Sequence, residues 1–113
     1  NRMRKAAAYL CATHDFKSFC GNKKMKKSTV RTISRIQIKE LPGEIQIYYT
    51  GNGFLQNMVR ILTGTLIEIG DGRRTPEDVS EILEAKNRER AGYTAPACGL
   101  TLLEVIYGKM VCN

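Results

Sequence analysis

The stretch TVRTISRIQIKELPGEIQIYYTGNG, residues 29–53, decides the fold. Residues 29–39 alternate as a strand, and residues 41–44 are a turn signal because Pro fixes φ and Gly accepts positive φ. The pattern predicts an antiparallel hairpin whose second strand spans 45–50. One face of the first strand is expected to carry Val30, Thr32, Ser34, Ile36 and Ile38, and the other Arg31, Arg35, Gln37 and Lys39, with Ile33 as the exception.

The segment after the hairpin has the period of an α-helix. From Phe54 to about Ile69, apolar residues recur along one stripe. Gly70-Asp71-Gly72 is expected to end this helix. A second helix is expected to begin at Thr75-Pro76, where Thr75 can cap it and Pro76 suits the first helical position. The apolar stripe of the first of these helices comprises Leu55, Met58, Val59, Leu62, Leu66 and Ile69.

The two ends of the chain complete the predicted architecture. Residues 2–11 have helical spacing, residues 14–19 suggest a turn or short helix anchored by two aromatic residues, and residues 102–107 suggest a final strand. The order helix-strand-strand-helix-helix-strand predicts an α+β fold, an antiparallel β-sheet with helices packed on one face. The other face is then free to meet a second domain or a ligand.

The net charge of +7 is concentrated in the first part of the chain. Residues 1–40 carry eleven Lys and Arg against two acids, whereas residues 41–113 carry seven against nine. The densest cluster offers point charges to a polyanion such as nucleic acid, and comprises Lys23, Lys24, Lys26 and Lys27. The alternative is a solvated loop that keeps the protein in solution, and charge alone leaves both interpretations open.

Composition and spacing argue against several classes of site. The four cysteines lack CxxC spacing and an accompanying histidine pair, which argues against structural zinc. They are expected to be free thiols, with Cys11 and Cys98 as small core residues. Walker A, GxSxG and HExxH motifs do not occur in the sequence. No apolar run approaches the ~20 residues of a membrane span and no signal peptide is recognisable, so we expect a cytoplasmic protein without membrane contact.

The single histidine, His14, stands next to Asp15. This pair suggests a catalytic base with an orienting carboxylate. Side chains of adjacent residues seldom point at each other, however, so we expect His14 to tie or cap a loop.

Arg60 is the candidate active-site residue within the segment from Gly51 to Gly64. With 3.6 residues per turn it lies about 140° from Leu55, off the apolar stripe. Gly64, one turn later, leaves space beside it. An Arg in such a position can hold a planar carboxylate or a phosphate through paired hydrogen bonds. An ordinary solvated helix Arg is the alternative.

Five segments, taken together, resemble the tRNA pseudouridine synthase A family. They occur in the family's order and spacing over essentially the whole chain, which makes the match specific although each segment alone would be weak. The segments are HDFKSF at 14–19, TVRTI at 29–33, GNGFLQNMVRILTG at 51–64, GTLIEIG at 64–70 and AGYTAPACGL at 91–100.

The resemblance implies an enzyme that isomerises uridine to pseudouridine in the anticodon stem-loop of tRNA, without cofactor or metal. An aspartate attacks the nucleotide, and the base detaches, turns and rejoins through carbon. Arg60 matches the helix arginine expected to pair with that aspartate. Phe54 and Leu55 match apolar residues that wall the pocket, and the 92–100 loop would form its rim. Arg31, Arg35, Lys23 and Lys24 are the expected contacts to RNA phosphates.

The nucleophile itself is missing from these 113 residues. The family's aspartate lies in an Arg-Thr-Asp-x-Gly-Val-type motif of the N-terminal half, and Asp15 belongs to a different motif. We therefore expect residues 1–113 to be the C-terminal domain of a longer synthase, homodimeric at full length and inactive without its N-terminal domain. A non-catalytic RNA-binding module is the alternative function, and a domain whose open sheet face binds a protein partner is a third possibility.

Overall fold

The computed structural model describes residues 2–22, 24, 27–42, 44–55, 57–96, 100–104 and 107–112. In chain order the elements are α1 (Arg2–Leu10), β1 (Thr13–Asp15), β2 (Val30–Leu41), β3 (Glu44–Gly51), α2 (Met58–Gly70), α3 (Asp78–Ala85), β4 (Leu100–Glu104) and β5 (Tyr107–Cys112). One turn of 3₁₀ helix follows β1 at Lys17–Phe19 and another follows α3 at Arg88–Arg90. Within the described residues the strands form one antiparallel sheet in the order β1-β2-β3-β5-β4.

The predicted α+β class is confirmed, and so is the hairpin, in which Leu41 pairs with Glu44 across the turn. The short strand β1 was not expected. The single final strand predicted at 102–107 is wrong, because β4 and β5 form a hairpin and β5 lies beside β3. The run from Leu102 to Tyr107 contains no Gly, Pro or Asn, so the sequence gives no turn signal between the two strands.

The core lies between the helices and one face of the sheet. Ile47 and Tyr49 of β3 are fully buried, and the hydroxyl of Tyr49 is 2.7 Å from the hydroxyl of Thr63 on α2. Every residue of the predicted apolar stripe from Leu55 to Ile69 is buried, which confirms that stripe. Cys11 is half-buried against this core, whereas Cys98 lies outside the described residues. None of the described helices is long and apolar enough to cross a membrane.

A β-bulge at Ser34 changes which residues share a face of β2. Ile33 pairs with Gly51 but Arg35 pairs with Thr50, so Ser34 is an extra residue in the ladder. Paired residues lie on the same side of an antiparallel sheet. Ile33 therefore lies on the buried face with Ile36 and Ile38, and the predicted grouping of Val30, Thr32 and Ser34 with the buried isoleucines is wrong.

Helix α2 begins four residues later than predicted, at Met58 instead of Phe54. Asn57 has a φ of 58°, a left-handed conformation that cannot belong to a right-handed helix. A tight turn leads into the helix, and in it the amide of Met58 donates to the carbonyl of Leu55. The end of the helix at Gly70 and the turn at Gly72, which has a φ of 91°, are as predicted.

The segment from His14 to Phe19 anchors the outer helix α3. Phe16 and Phe19 are fully buried, and the buried hydroxyl of Ser18 donates to the carbonyl of Ile82 on α3 at 2.6 Å. A ring nitrogen of His14 is 3.0 Å from the backbone oxygen of Tyr9, and Asp15 instead accepts from the hydroxyl of Thr29. The two side chains thus hold separate segments of the chain in place, as expected. At the start of α3 the predicted cap by Thr75 is replaced by a different contact. The carboxylate of Asp78 accepts a hydrogen bond from the amide of Thr75.

Candidate functional site

The site begins at the sharp corner that joins β3 to α2. A Cβ atom added at Gly51 would lie 2.6 Å from the carbonyl oxygen of Thr32, so the two backbones touch and only Gly fits. Asn52 locks the same contact, because its side-chain oxygen accepts from the amide of Thr32 and its own amide donates to the Thr32 carbonyl. Gly53 has a φ of 147° and lies against the side chain of Arg31.

A second wall is formed by the 91–96 loop, which packs directly on α2. A Cβ atom at Gly64 would overlap the carbonyl oxygen of Tyr93, and one at Gly92 would lie 2.8 Å from the Cα of Thr65. The amide of Gly92 donates to the hydroxyl of Thr65 at 2.8 Å. Because Gly64 and Gly92 have no side chains, the backbone of the loop can contact the backbone of α2 directly. The loop therefore covers a second side of this helix.

Two arginines fasten this loop. Arg74 donates to the carboxylate of Glu68 at 2.7 Å and to the carbonyl of Arg90 at 2.8 Å. Arg88 donates to the carbonyl of Gly92 at 2.9 Å and to the hydroxyl of Thr94 at 3.0 Å. Because these contacts are charge-assisted, they are stronger than neutral hydrogen bonds and hold the loop in one position.

Arg60 lies where the loop meets the first turn of α2. Its Nε donates to the carbonyl of Ala95 at 2.7 Å, and the amide of Ala95 donates back to the carbonyl of Arg60 at 3.0 Å. Its Nη1 donates to the side-chain oxygen of Asn57 at 3.1 Å. The guanidinium is half-buried and hydrogen-bonded through two of its three nitrogens, which argues against a fully solvated helix Arg.

The charge of Arg60 is not neutralised by any carboxylate whose side chain the structure describes. Both of its acceptors are neutral oxygens, and the described ion pairs involve other cations. A guanidinium carries five N–H groups. Within the described part of the chain, the acceptors of Arg60 use two of them, which leaves Nη2 and one N–H of Nη1 for an anion. The arrangement can therefore hold a carboxylate or a phosphate next to the 91–96 loop.

The two apolar residues predicted as pocket wall differ in exposure. Leu55 is 5% exposed and belongs to the core, whereas Phe54 is half-buried and packs against the core from its edge. The ring of Phe54 also lies near the corner glycine Gly51. Phe54 is consequently the member of the pair whose surface a ligand can reach.

Of the basic residues predicted to contact RNA, Arg31 and Arg35 lie on opposite sides of the sheet. The bulge at Ser34 places Arg31 on the helix-covered side of β2 and Arg35 on the open side. The Nη1 of Arg31 donates to the carbonyls of Ser28 and Val30, whereas Arg35 is exposed. Lys24 is exposed in a turn held by Asn22, and Lys23 lies outside the described residues.

Sequence reasoning missed the residues that position the loop. Thr65 and Arg74 contact backbone that is 27 and 16 residues away in the sequence, whereas Arg88 contacts the nearby carbonyl of Gly92, and no periodic pattern marks any of the three. The one available signal was the pair of glycines Gly64 and Gly92, since a glycine can mark a close backbone approach.

The sequence of this chain is similar to known proteins of one family. The family model described as "tRNA pseudouridine synthase" matches residues 6–108. A tRNA pseudouridine synthase A of Brevibacillus brevis is 50% identical over 105 residues, 93% of this chain and 43% of the relative. A tRNA pseudouridine synthase A 1 of Bacillus cereus is 50% identical over 109 residues, 96% of this chain and 44% of the relative.

A third relative, tRNA pseudouridine synthase A of Bacillus pumilus, is 47% identical over 107 residues, 95% of this chain and 43% of the relative. The chain thus spans less than half the length of the curated relatives it matches. The matched region includes the β3–α2 corner, Arg60 and the 91–96 loop. On this evidence the chain belongs to the tRNA pseudouridine synthase family.

Proposed function

We propose that residues 1–113 are the C-terminal domain of an enzyme that isomerises uridine to pseudouridine in the anticodon stem-loop of tRNA. Its relatives are more than twice as long as the matched region, which leaves room for an N-terminal domain with the nucleophilic aspartate. This domain then supplies one wall of the active site and part of the RNA-binding surface. The reaction needs no metal or cofactor, as the family resemblance implies.

The observation that carries the proposal is the guanidinium of Arg60, which is held by hydrogen bonds and is compensated by none of the described carboxylate side chains. A cation beside a carboxylate favours the ionised form of that carboxylate, which is the nucleophilic form. Since Ala95 and Asn57 hold the guanidinium before any aspartate arrives, little reorganisation is needed when it does. Electrostatic preorganisation of this kind is a large term in enzyme catalysis.

The surroundings of Arg60 fit a flipped nucleotide. Phe54 offers an apolar surface at the corner, with Leu55 behind it in the core. The 91–96 loop packs on α2 beside Arg60, and a base that reacts must leave its stack to enter such a site. Arg31, Arg35, Lys23 and Lys24 remain the proposed contacts to RNA phosphates, and of these Arg31 and Arg35 lie on opposite sides of the sheet.

We further propose that the full-length enzyme is a homodimer in the cytoplasm and that the N-terminal domain of the same chain completes each active site. The 113-residue chain alone should then form no pseudouridine.

The test is an isomerisation assay with unmodified tRNA transcript. The full-length protein, its Arg60→Ala variant and the isolated 113-residue chain are each incubated with the transcript. Nucleosides from the digested RNA are separated by liquid chromatography and identified by mass spectrometry, which distinguishes pseudouridine from uridine by retention although their masses are equal. We expect pseudouridine with the full-length protein alone.

Two outcomes would count against the proposal. Turnover by the isolated chain would mean that its own residues provide the nucleophile. Tight tRNA binding by the full-length protein without any pseudouridine would instead favour the alternative of a non-catalytic RNA-binding module.

A further inference from the structure

A basic concavity lies on the side of the molecule where β1, its 3₁₀ turn and the end of α3 meet. Two adjacent hollows of about 290 Å³ and about 180 Å³ share Lys17, Asn22 and Lys86 in their walls. The larger also contacts Lys27, and the smaller Arg88. We use the name basic concavity for the surface formed by Lys17, Lys27, Lys86 and Arg88.

Positive charge dominates this surface among the described residues. Asp15 is the one described acid in its walls, and its carboxylate is already occupied by the hydroxyl of Thr29 and the amide of Lys17. The ammonium of Lys86 is 3.9 Å from Asp15, at the limit of an ion pair, and its side chain is 59% exposed. Asp15 therefore offsets one of the four positive charges of Lys17, Lys27, Lys86 and Arg88, and the described walls keep an excess of positive charge.

The concavity connects to the Arg60 site through the 91–96 loop. Arg88 lines the smaller hollow and donates to the carbonyl of Gly92 and the hydroxyl of Thr94. The next residue, Ala95, accepts from the guanidinium of Arg60. The 91–96 loop thus contacts both Arg60 and Arg88, a residue in the wall of the concavity.

We propose that the basic concavity binds the phosphate backbone of the RNA substrate, along the strand that leaves the Arg60 site across the 91–96 loop. This rests on the function proposed above. The hollows are open and are lined by lysines with long side chains, which suits a chain of phosphates met by point charges. The contact positions the RNA and reads no base.

The experiment measures binding of the full-length protein to a fluorescein-labelled RNA hairpin with the sequence of a tRNA anticodon arm. Fluorescence anisotropy gives Kd at several KCl concentrations for the wild type and for the double variant Lys17→Ala/Lys86→Ala. Each lost phosphate contact lowers the slope of log Kd against log salt by roughly 0.7 to 0.9. We expect the slope to fall by about 1.4 to 1.8 and affinity at low salt to fall about tenfold or more.

The matched control removes two equally exposed cations elsewhere, in the double variant Lys5→Ala/Arg73→Ala. Lys5 and Arg73 are 63% and 59% exposed and pair with Glu77 and Asp71. This control should keep the wild-type slope, and Lys17→Arg/Lys86→Arg should restore it. Circular dichroism melting verifies that all variants are folded.

An unchanged slope in Lys17→Ala/Lys86→Ala, or an equal loss in the control, overturns the proposal. Polyglutamate binding that depends on these lysines, without RNA binding, would instead assign the surface to an acidic protein. The isomerisation assay stays independent of this test. An active enzyme with an unchanged slope refutes the concavity alone, and an inactive protein with the expected loss of slope refutes the isomerase alone.

Discussion

The Cα of Gly64 lies directly against the carbonyl oxygen of Tyr93, so close that a Cβ atom at position 64 would overlap that oxygen. This contact fixes the depth at which the 91–96 loop rests on α2. The same loop presents the Ala95 carbonyl to Arg60. The size of one residue on the helix therefore controls the position of a guanidinium one turn earlier.

Gly64→Ala should displace the loop and destabilise the protein. Forcing a methyl group into a packed contact costs about 1–3 kcal/mol, more than the helix propensity gained from Ala. Gly70→Ala is the matched control at the end of the same helix, where the added atom would meet only the flexible side chain of Met3. Urea unfolding should show a loss for the first variant and a neutral or stabilising effect for the second. Equal stability in both variants would contradict the contact.

Arg60→Lys should lower the rate of pseudouridine formation by the full-length enzyme about 100-fold or more, the cost typical of removing one preorganised electrostatic group. Lysine keeps the charge but cannot donate to Ala95, Asn57 and a carboxylate through one planar fork. The control is Arg73→Lys, an exposed residue paired with Asp71. Initial rates on unmodified tRNA provide the measurement, and near-normal turnover by Arg60→Lys would remove Arg60 from the active site.

Arg74→Ala should destabilise the protein far more than Arg73→Ala. The Arg74–Glu68 pair is mostly buried, with side chains 26% and 14% exposed, and Arg74 also holds loop carbonyls. Its removal leaves Glu68 with an uncompensated charge, at a cost of about 2–3 kcal/mol. The Arg73–Asp71 pair is exposed, and such pairs contribute little. Comparable urea midpoints for the two variants would contradict this difference.

Cys11 should make the stability of the protein decrease at alkaline pH. Burial raises the pKa of its thiol above the ordinary value of 9.0, partly offset by a hydrogen bond from the amide of Ile36. Because the folded state favours the protonated thiol, this contribution is fully present below about pH 9 and is lost as pH rises through the folded-state pKa. Wild type should lose more stability than Cys11→Ala between pH 7 and pH 10. Equal losses of urea midpoint in the wild type and in Cys11→Ala over this pH range would refute the prediction.

The parts of the fold that rest on local patterns were predictable from the sequence. Apolar residues at helical spacing identified the buried side of α2, and a Pro-Gly turn signal identified the β2–β3 hairpin. Both predictions depend on residues a few positions apart, where periodicity reports burial directly. Phe16 and Phe19 were likewise recognisable as anchors.

The parts that rest on distant contacts were not predictable. One side of α2 is covered by the loop around Gly92, which lies about 30 positions along the chain from the helix residues that it contacts. The arginines that fasten this loop follow no periodic pattern. The start of α2 was misplaced because Asn57 adopts a positive φ that its neighbours do not announce. Arg60 was found as an anomaly off the apolar stripe, yet its partner Ala95 could not have been named.

The additional residue at Ser34 changes the side of the sheet to which the rest of the strand points. Without the bulge, Arg31 and Arg35, four positions apart, would point the same way, whereas here one strand gives a cation to each layer of the molecule. Deleting Ser34 would make Ile33 and Arg35 neighbours in a regular strand and leave the flanking residues on their present faces, whereas deleting a residue far from the bulge would exchange inside and outside for one segment. This strand should consequently tolerate the loss of Ser34 better than the loss of a residue such as Gln37.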